Sequence, residues 1–283
     1  MGKRKERKWK PPAAGVQTDE SKPHAAAPSE GGESPPKVQG TLVSCPGCGG
    51  SGERRKASAW AECQGCGTLF LRERPSAGHM AKAREMLFDR AFALPNHEER
   101  REARALAGEA MCGFFQIRIG KHAALNAFGK HVLEVNCGLG FRLRAFQNYG
   151  WTTVGTETSA TAFEYARRMS LDVRHGWLDE ASFGKTRFDL ALFCSTFGEI
   201  LDPGKAVVKL RELLGPDGLV CVLREPLAAK DMEPSGDATR LCLYSADSIK
   251  RVYCQNAFSF ISEELHEDDT GTFWFRAKTG GNR

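Results

Sequence analysis

The chain has 283 residues, 41% of them apolar, ten cysteines and a formal net charge of +5. That is enough for one full α/β domain plus a small accessory module. It excludes a membrane span, which needs roughly 18 consecutive apolar residues, and a small secreted disulfide scaffold, leaving a protein of a reducing, cytoplasmic compartment.

Residues 1–10 hold Lys3, Arg4, Lys5, Arg7, Lys8 and Lys10 against Glu6. Of the 40 basic and 35 acidic residues in all, 34 of each lie beyond this tail, so the body is formally neutral. A neutral body lacks the clustered cations of a broad nucleic-acid-binding face. Residues 1–10 read first as a solvated, solubilising terminus, with weak contact to nucleic acid or an anionic surface, or a localisation signal, as the alternatives. Residues 11–40 are rich in Pro, Ala, Gly, Ser and Glu and poor in large apolar groups. They bury too little to offset the entropy of ordering, so 1–40 reads as a disordered basic, proline-rich leader.

Residues 41–75 carry Cys45-Pro-Gly-Cys48 and Cys63-Gln-Gly-Cys66, 14 residues apart, and a strand-like run Thr68-Leu69-Phe70-Leu71. Each pair wraps one side of a tetrahedral ion, and a hairpin between them brings the pairs together. Gly49 and Gly67 follow the second cysteine of each pair, where a knuckle requires unusual torsions. Four thiolates leave no open coordination position, so a structural zinc ribbon is expected. A redox dithiol and an iron–sulfur centre are the alternatives, and the duplicated knuckles favour zinc over both. The other six cysteines read as reduced, buried small hydrophobes.

Residues 76–128 read as a helical connector. Pro95-Asn96 interrupts it, Asn96 is a plausible N-cap, and Ala103, Leu106, Ala110, Phe114 and Ile117 recur at helical spacing. From 129 to 283 the rhythm becomes strand, glycine turn, helix, strand. Strands are expected at 132–135, 152–155, 171–174, 188–193, 219–223, 258–265 and 272–277, with helices near 140–149, 159–169, 203–214 and 246–255. Seven strands interleaved with helices predict an α/β domain with a mainly parallel sheet covered on both faces.

The chemistry concentrates at His131-Val-Leu-Glu-Val-Asn-Cys-Gly-Leu-Gly140. A strand runs directly into a glycine turn that opens a helix, where unpaired N–H groups and close backbone approach suit a nucleotide. Glu157 closes the second strand 17 residues beyond Gly140, and a carboxylate there accepts from both hydroxyls of a ribose. Turn and acid together indicate an adenosine-containing cofactor without naming it. A dinucleotide fingerprint would need a small third residue at Leu143, where close helix–strand packing disfavours leucine.

Residues 129–225 resemble the class I (Rossmann-like) S-adenosylmethionine-dependent methyltransferases, whose first motif is acidic-x-Gly-x-Gly-x-Gly. Glu134, Asn136, Gly138 and Gly140 stand at those positions, and the likeness continues through Phe188-Asp189, Leu201-Asp202-Pro203 and the 213–219 segment. Cys45 to Pro75 also resembles the zinc-ribbon leader of some of these enzymes. The resemblance implies a donor site made of Glu134, Asn136, Cys137, Gly138 and Gly140, of Glu157 and Thr158, of Trp177 and Leu178 beside adenine, and of Cys194. Asn136 replaces a glycine, which asparagine's tolerance of left-handed torsions permits. Trp177 stands near where many members carry an acid, and Gly198-Glu199-Ile200 replaces a Glu-His pair.

Methyl transfer from a sulfonium needs alignment and desolvation first, and a base only where the acceptor must lose a proton. The acceptor is expected past the carboxyl ends of the strands, near Cys194, Ser195, Thr196 and Glu199, with His175 a further candidate. No catalytic residue is assigned. The fourth strand lacks an Asn-Pro-Pro-aromatic ending, which favours a small-molecule, sugar or lipid-precursor acceptor over a nucleobase amine. An RNA or protein methyltransferase recruited by tail and ribbon, and a noncatalytic scaffold, are the alternatives.

Overall fold

The computed structural model describes residues 41–54, 59–93, 96–102, 130–228 and 238–278. The leader at 1–40 and the apolar stripe from Ala103 to Ile117 lie outside the described residues.

The centre is a seven-stranded sheet of β6 (His131–Val135), β7 (Thr152–Glu157), β8 (Val173–His175), β9 (Phe188–Cys194), β10 (Leu214–Pro226), β12 (Phe258–Leu265) and β13 (Thr270–Ala277). Its order is β12-β13-β10-β9-β6-β7-β8. The pairs among β8, β7, β6, β9 and β10 are parallel; β13 runs antiparallel to both β10 and β12. This is the predicted architecture, Rossmann-like and mainly parallel.

The sheet is buried on both faces because its strands are apolar at successive positions, not only alternate ones. Residues 190–193 of β9 are all fully buried. Leu133, Val135, Ala191, Phe193, Val220 and Val222 face one core. Their neighbours Val132, Leu190, Leu192, Leu219 and Cys221 face the other, against Phe146, Trp151 and Trp274. This is the two-residue period of a strand read twice.

Helices α2 (Phe141–Asn148), α3 (Ala160–Arg168), α4 (Pro203–Leu213) and α5 (Ala246–Gln255) fill the connections. The last three start where the sequence supplies a cap. Ser159, Asp202 and Ser245 accept from the backbone N–H groups of Ala162, Lys205 and Ser248, satisfying donors that a helix leaves unpaired. The third strand begins at Val173, two residues later than expected. Ser170 takes φ +58° and the Leu171 N–H returns to the Ala166 carbonyl, so Leu171 closes α3 before the chain can extend.

Before the sheet, α1 (Ala77–Ala93) buries Met80, Arg84 and Phe88, one stripe at i, i+4, i+8. Residues 97–102 resume helical structure, and the Asn96 carbonyl accepts from Arg100 N–H.

The cysteine-bearing segment forms β2 (Gly52–Arg54), β3 (Trp60–Cys63) and β4 (Leu69–Leu71), while β1 (Thr41–Leu42) pairs with β5 (Glu73–Arg74). The sheet β2-β3-β4 is extended by β11 (Cys242–Leu243), supplied from far along the chain. Thr68 Oγ1 donates to Ser248 Oγ at 2.8 Å and Ser245 Oγ to the Cys66 carbonyl at 2.8 Å. Cys45, Cys63 and Phe70 share one core with Phe197, Tyr244 and Ile249. The cysteine-bearing segment is thus packed into the wall of the larger fold. Among the described residues no helix is long and apolar enough to cross a membrane.

Candidate functional site

The sheet order reverses direction at β6, between β7 and β9, and in such sheets a crevice opens beyond the carboxyl ends of the strands at that point. The chain leaves β6 through Asn136, Gly138 and Gly140 at φ +56°, +57° and +77°. These left-handed torsions fold the backbone into a tight loop before α2. A side chain on Gly140 would begin 2.4 Å from Leu171 Cδ1, so glycine is required there for space as well as torsion. Asn136 is buried with both amide atoms unpartnered, and Thr158 Oγ1 and one oxygen of Glu134 are unpartnered too. Orphaned buried polar atoms cost free energy unless a partner arrives. The arrangement suits a polar ligand against this loop.

Glu134 is fully buried and accepts from Arg142 Nε. Burial pushes its carboxyl up, against the opposing pull of Arg142. Burial likewise raises the thiols of Cys137 and Cys194, which therefore stay protonated near neutral pH and are poor nucleophiles.

Glu157 at the tip of β7 is fully buried and surrounded by donors. Its Oε1 accepts from Arg84 Nε at 3.0 Å and from the backbone of Thr158 and Ser159, both at 2.9 Å. Its Oε2 accepts from Arg84 Nη2 at 2.7 Å and Gly138 N–H at 2.8 Å. Arg84 also donates through Nη1 to Glu199 on the loop after β9. Burial works against its charge, yet Glu157 and Glu199 together hold the guanidinium pKa above its usual value. One side chain of α1 thus joins the tips of two strands. A cation inside an otherwise apolar stripe, between Met80 and Phe88, was the signal available in the sequence, because a buried guanidinium demands a carboxylate.

The remaining expected residues are placed as follows. Trp177 packs with Met80 and Leu241 and, with Leu178 and Ile200, lines a cavity of about 80 Å³, far below the several hundred Å³ of a typical ligand pocket. His175 is exposed, stacks on Phe163 at 4.8 Å, and has Nε2 3.2 Å from the Thr158 carbonyl. Ser195 Oγ donates to the Arg224 carbonyl at 2.6 Å, and Thr196 Oγ1 to the Val135 carbonyl at 3.2 Å. Both hydroxyls tie strand ends together. The loop they begin is held by a pair that sequence reading missed. Buried Glu225 accepts from Phe197 and Gly198 N–H at 3.0 and 2.8 Å and from Arg240 Nη1 at 2.7 Å, while Arg240 Nη2 donates to the Ser195 carbonyl. No spacing links residues 225 and 240 to the motifs, so only the fold reveals them.

The four sulfurs of Cys45, Cys48, Cys63 and Cys66 lie within 4.8 Å of one another. Cys45 and Cys66 are 3.6 Å apart and Cys48 and Cys63 3.4 Å, near the ~3.8 Å edge of a tetrahedron with zinc–sulfur bonds of about 2.3 Å. Gly49 and Gly67 take φ +78° and +70°, as the knuckles require, and each donates to the carbonyl of the first cysteine in its pair at 2.8 Å. The Gly50 backbone and neighbouring thiols, against burial, bring Cys48 down to about 7, whereas burial raises Cys45 and Cys63.

Comparison with known proteins bears on both fold and chemistry. The profile of a family described as "Methyltransferase domain" matches residues 96–262, more than half of the chain. The ubiquinone biosynthesis O-methyltransferase of Actinobacillus pleuropneumoniae serotype 5b (strain L20) is 28% identical over 104 residues. That stretch covers 33% of this chain and 44% of that enzyme, so the chain spans under half the length of this curated relative. DesVI of Streptomyces venezuelae superposes with a TM-score of 0.53 at 14% identity, over 65% of this chain and 97% of its own. CalS10 of Micromonospora echinaspora, an amino pentose methyltransferase solved with S-adenosylmethionine, gives 0.52 at 14% identity, over 65% and 98%. These likenesses establish a shared fold.

Proposed function

The chain belongs to the methyltransferase-domain family, with the Rossmann-like class I fold of its S-adenosylmethionine-dependent members, and from that premise we propose that it transfers the donor's methyl group to a small-molecule acceptor. The observation that carries the reading is the left-handed Asn136–Gly138–Gly140 loop facing Glu157 across the switch point of the sheet. In this reading Glu134, Asn136, Cys137, Gly138 and Gly140 hold the amino-acid end of the donor. Glu157 and Thr158 hold the ribose, Trp177 and Leu178 border the adenine, and Cys194 lines the floor. When bound, S-adenosylmethionine supplies a methyl group on a sulfonium, which needs alignment more than acid activation. The loop and the strand tips provide that alignment on rigid backbone, and the Glu225–Arg240 pair fixes the acceptor-side loop from behind.

The formally neutral body favours a small molecule, sugar or lipid precursor over a polyanion. The ubiquinone-pathway relative methylates a small molecule's oxygen, by its name, and lends the same direction. We assign the four cysteines to a structural zinc, because their sulfur spacing fits a tetrahedral ion and leaves no position for substrate. Residues 41–75 are then the ribbon, 76–128 the connector and 129–283 the catalytic domain, in a reducing, cytoplasmic setting. The test is a donor-labelled methyl-transfer assay on fractionated metabolites with wild type and Glu157→Ala. Label should pass to a small-molecule fraction with wild type only; transfer to RNA or protein instead would displace the acceptor assignment.

A second reading, a noncatalytic scaffold, is favoured by one observation: both oxygens of Glu157 are already engaged by Arg84. Calorimetry with S-adenosylhomocysteine separates the two, since a scaffold that has lost the donor site gives no heat of binding.

A further inference from the structure

The donor site and the Arg84 ion pair claim the same carboxylate. Glu157 accepts five hydrogen bonds, two from Arg84 and three from backbone N–H groups. A carboxylate offers about four lone-pair directions, so nothing is left for a diol. The backbone donors are fixed by the fold; only the guanidinium can leave. Phe88, one turn further along α1, stands against the glycine loop: a Cβ on Gly138 would be 3.2 Å from its ring. The guanidinium itself lies 5.9 Å from the Phe88 centroid. Helix α1 therefore covers both halves of the crevice, the carboxylate with Arg84 and the glycine turn with Phe88.

The same helix is fastened on the outside. Glu85 accepts from Thr161 N–H at 3.1 Å, from Ser159 Oγ at 2.6 Å and from Thr161 Oγ1. A carboxylate at the first turn of α3 is in the favourable place for a helix N-terminus. Arg84 has a second anchor in Glu199, which the ribose does not need. The guanidinium can give up Glu157 and keep a counter-charge, so opening does not strand it among apolar groups.

We propose that Arg84 is an internal competitor for the donor ribose, and that α1 gates the crevice: the donor binds only when the Arg84–Glu157 pair opens, with Arg84 pivoting on Glu199. This rests on the donor-site reading above and adds the regulation of that site. A gate closed in nine chains of ten or more weakens apparent affinity about tenfold or more, because only the open fraction binds.

The test is titration of the full, zinc-loaded chain with S-adenosylhomocysteine, comparing wild type, Arg84→Met, and Arg84→Met combined with Glu157→Gln. Arg84→Met should bind about tenfold more tightly, with faster association, and adding Glu157→Gln should remove the gain. If Arg84→Met binds no better than wild type while the double variant binds more weakly than both, the gate is overturned and the donor site stands. If none of the three binds, both readings fall. Hydrogen exchange on the wild type supplies a readout that does not depend on the variant folding. On saturation with S-adenosylhomocysteine, residues 136–140 and 157–159 should slow while α1 exchanges faster. Slowing of α1 together with the loop would make it a fixed wall of the site and overturn the proposal.

Discussion

The four-cysteine cluster and the nucleotide crevice were both read from short motifs, yet they differ in how ready they are. In the cluster the four sulfurs converge at spacings suited to one ion, and their polar neighbours are backbone N–H groups, the Thr68 hydroxyl and each other. In the crevice the backbone takes the required torsions, but the carboxylate that should meet the ligand is already paired with a cation from outside the motif. Spacing along a chain specifies backbone geometry well. It says nothing about which distant side chain arrives to compete.

The largest expected effect lies on the cluster. Cys45 and Cys63 belong to the same core as Phe197 and Tyr244, and β4 pairs with β11, so the proposed zinc would brace more than the cysteine-bearing segment and its removal would loosen both. Structural zinc contributes on the order of 10 kcal/mol to folding in small modules. Chelation, or Cys63→Ser, is expected to lower stability by at least ~3 kcal/mol, read as a large fall in Tm. A Tm unmoved by full zinc removal would show that the ribbon folds without metal.

Next comes the crevice. Glu157→Ala leaves Arg84 buried with Glu199 alone and strips an acceptor from three backbone N–H groups. Removing one partner of a buried pair costs about 3–5 kcal/mol, which denaturant unfolding will register. The same variant should lose ~1–3 kcal/mol of donor affinity where a ribose hydrogen bond is lost. Smaller still is Ser159→Ala, which removes the α3 cap and one contact to Glu85; about 1 kcal/mol is expected. A loss below a few tenths would mean that backbone contacts alone hold α1 on α3.

The smallest effect is a pH dependence confined to α1. Burial alone would raise the Glu85 carboxyl, but hydrogen bonds from Ser159 and Thr161 outweigh it and hold it below the ordinary value. A depressed carboxyl contributes stability that is fully present above its unfolded pKa of about 4.3 and is lost as pH falls through the lower folded value. Hydrogen exchange of α1 should therefore quicken in that acid window before the central sheet responds. Simultaneous loosening of both would remove Glu85 as the fastening.

Much of this molecule was legible in the sequence because periodicity reports burial directly. The seven strands, the knuckle glycines and the Asn136 torsion follow from local patterns, whereas the strand order that puts the switch at β6 is set by pairing between distant segments. The parts that were not legible depend on contacts distant in sequence. Strand β11 has two residues and exists because β4 offers an open edge. The Glu225–Arg240 pair joins a strand end to a later loop. Arg84 lies on a helix whose periodicity marks a buried face without revealing that a cation within it faces Glu157 and Glu199.

The most direct test of the account is a crystal structure of the full chain grown with S-adenosylhomocysteine. The account predicts the ribose hydroxyls on Glu157, the amino-acid end against residues 136–140, and the Arg84 guanidinium on Glu199 alone. Ligand bound elsewhere, or an Arg84 that still holds both oxygens of Glu157 with ligand in the crevice, would contradict it.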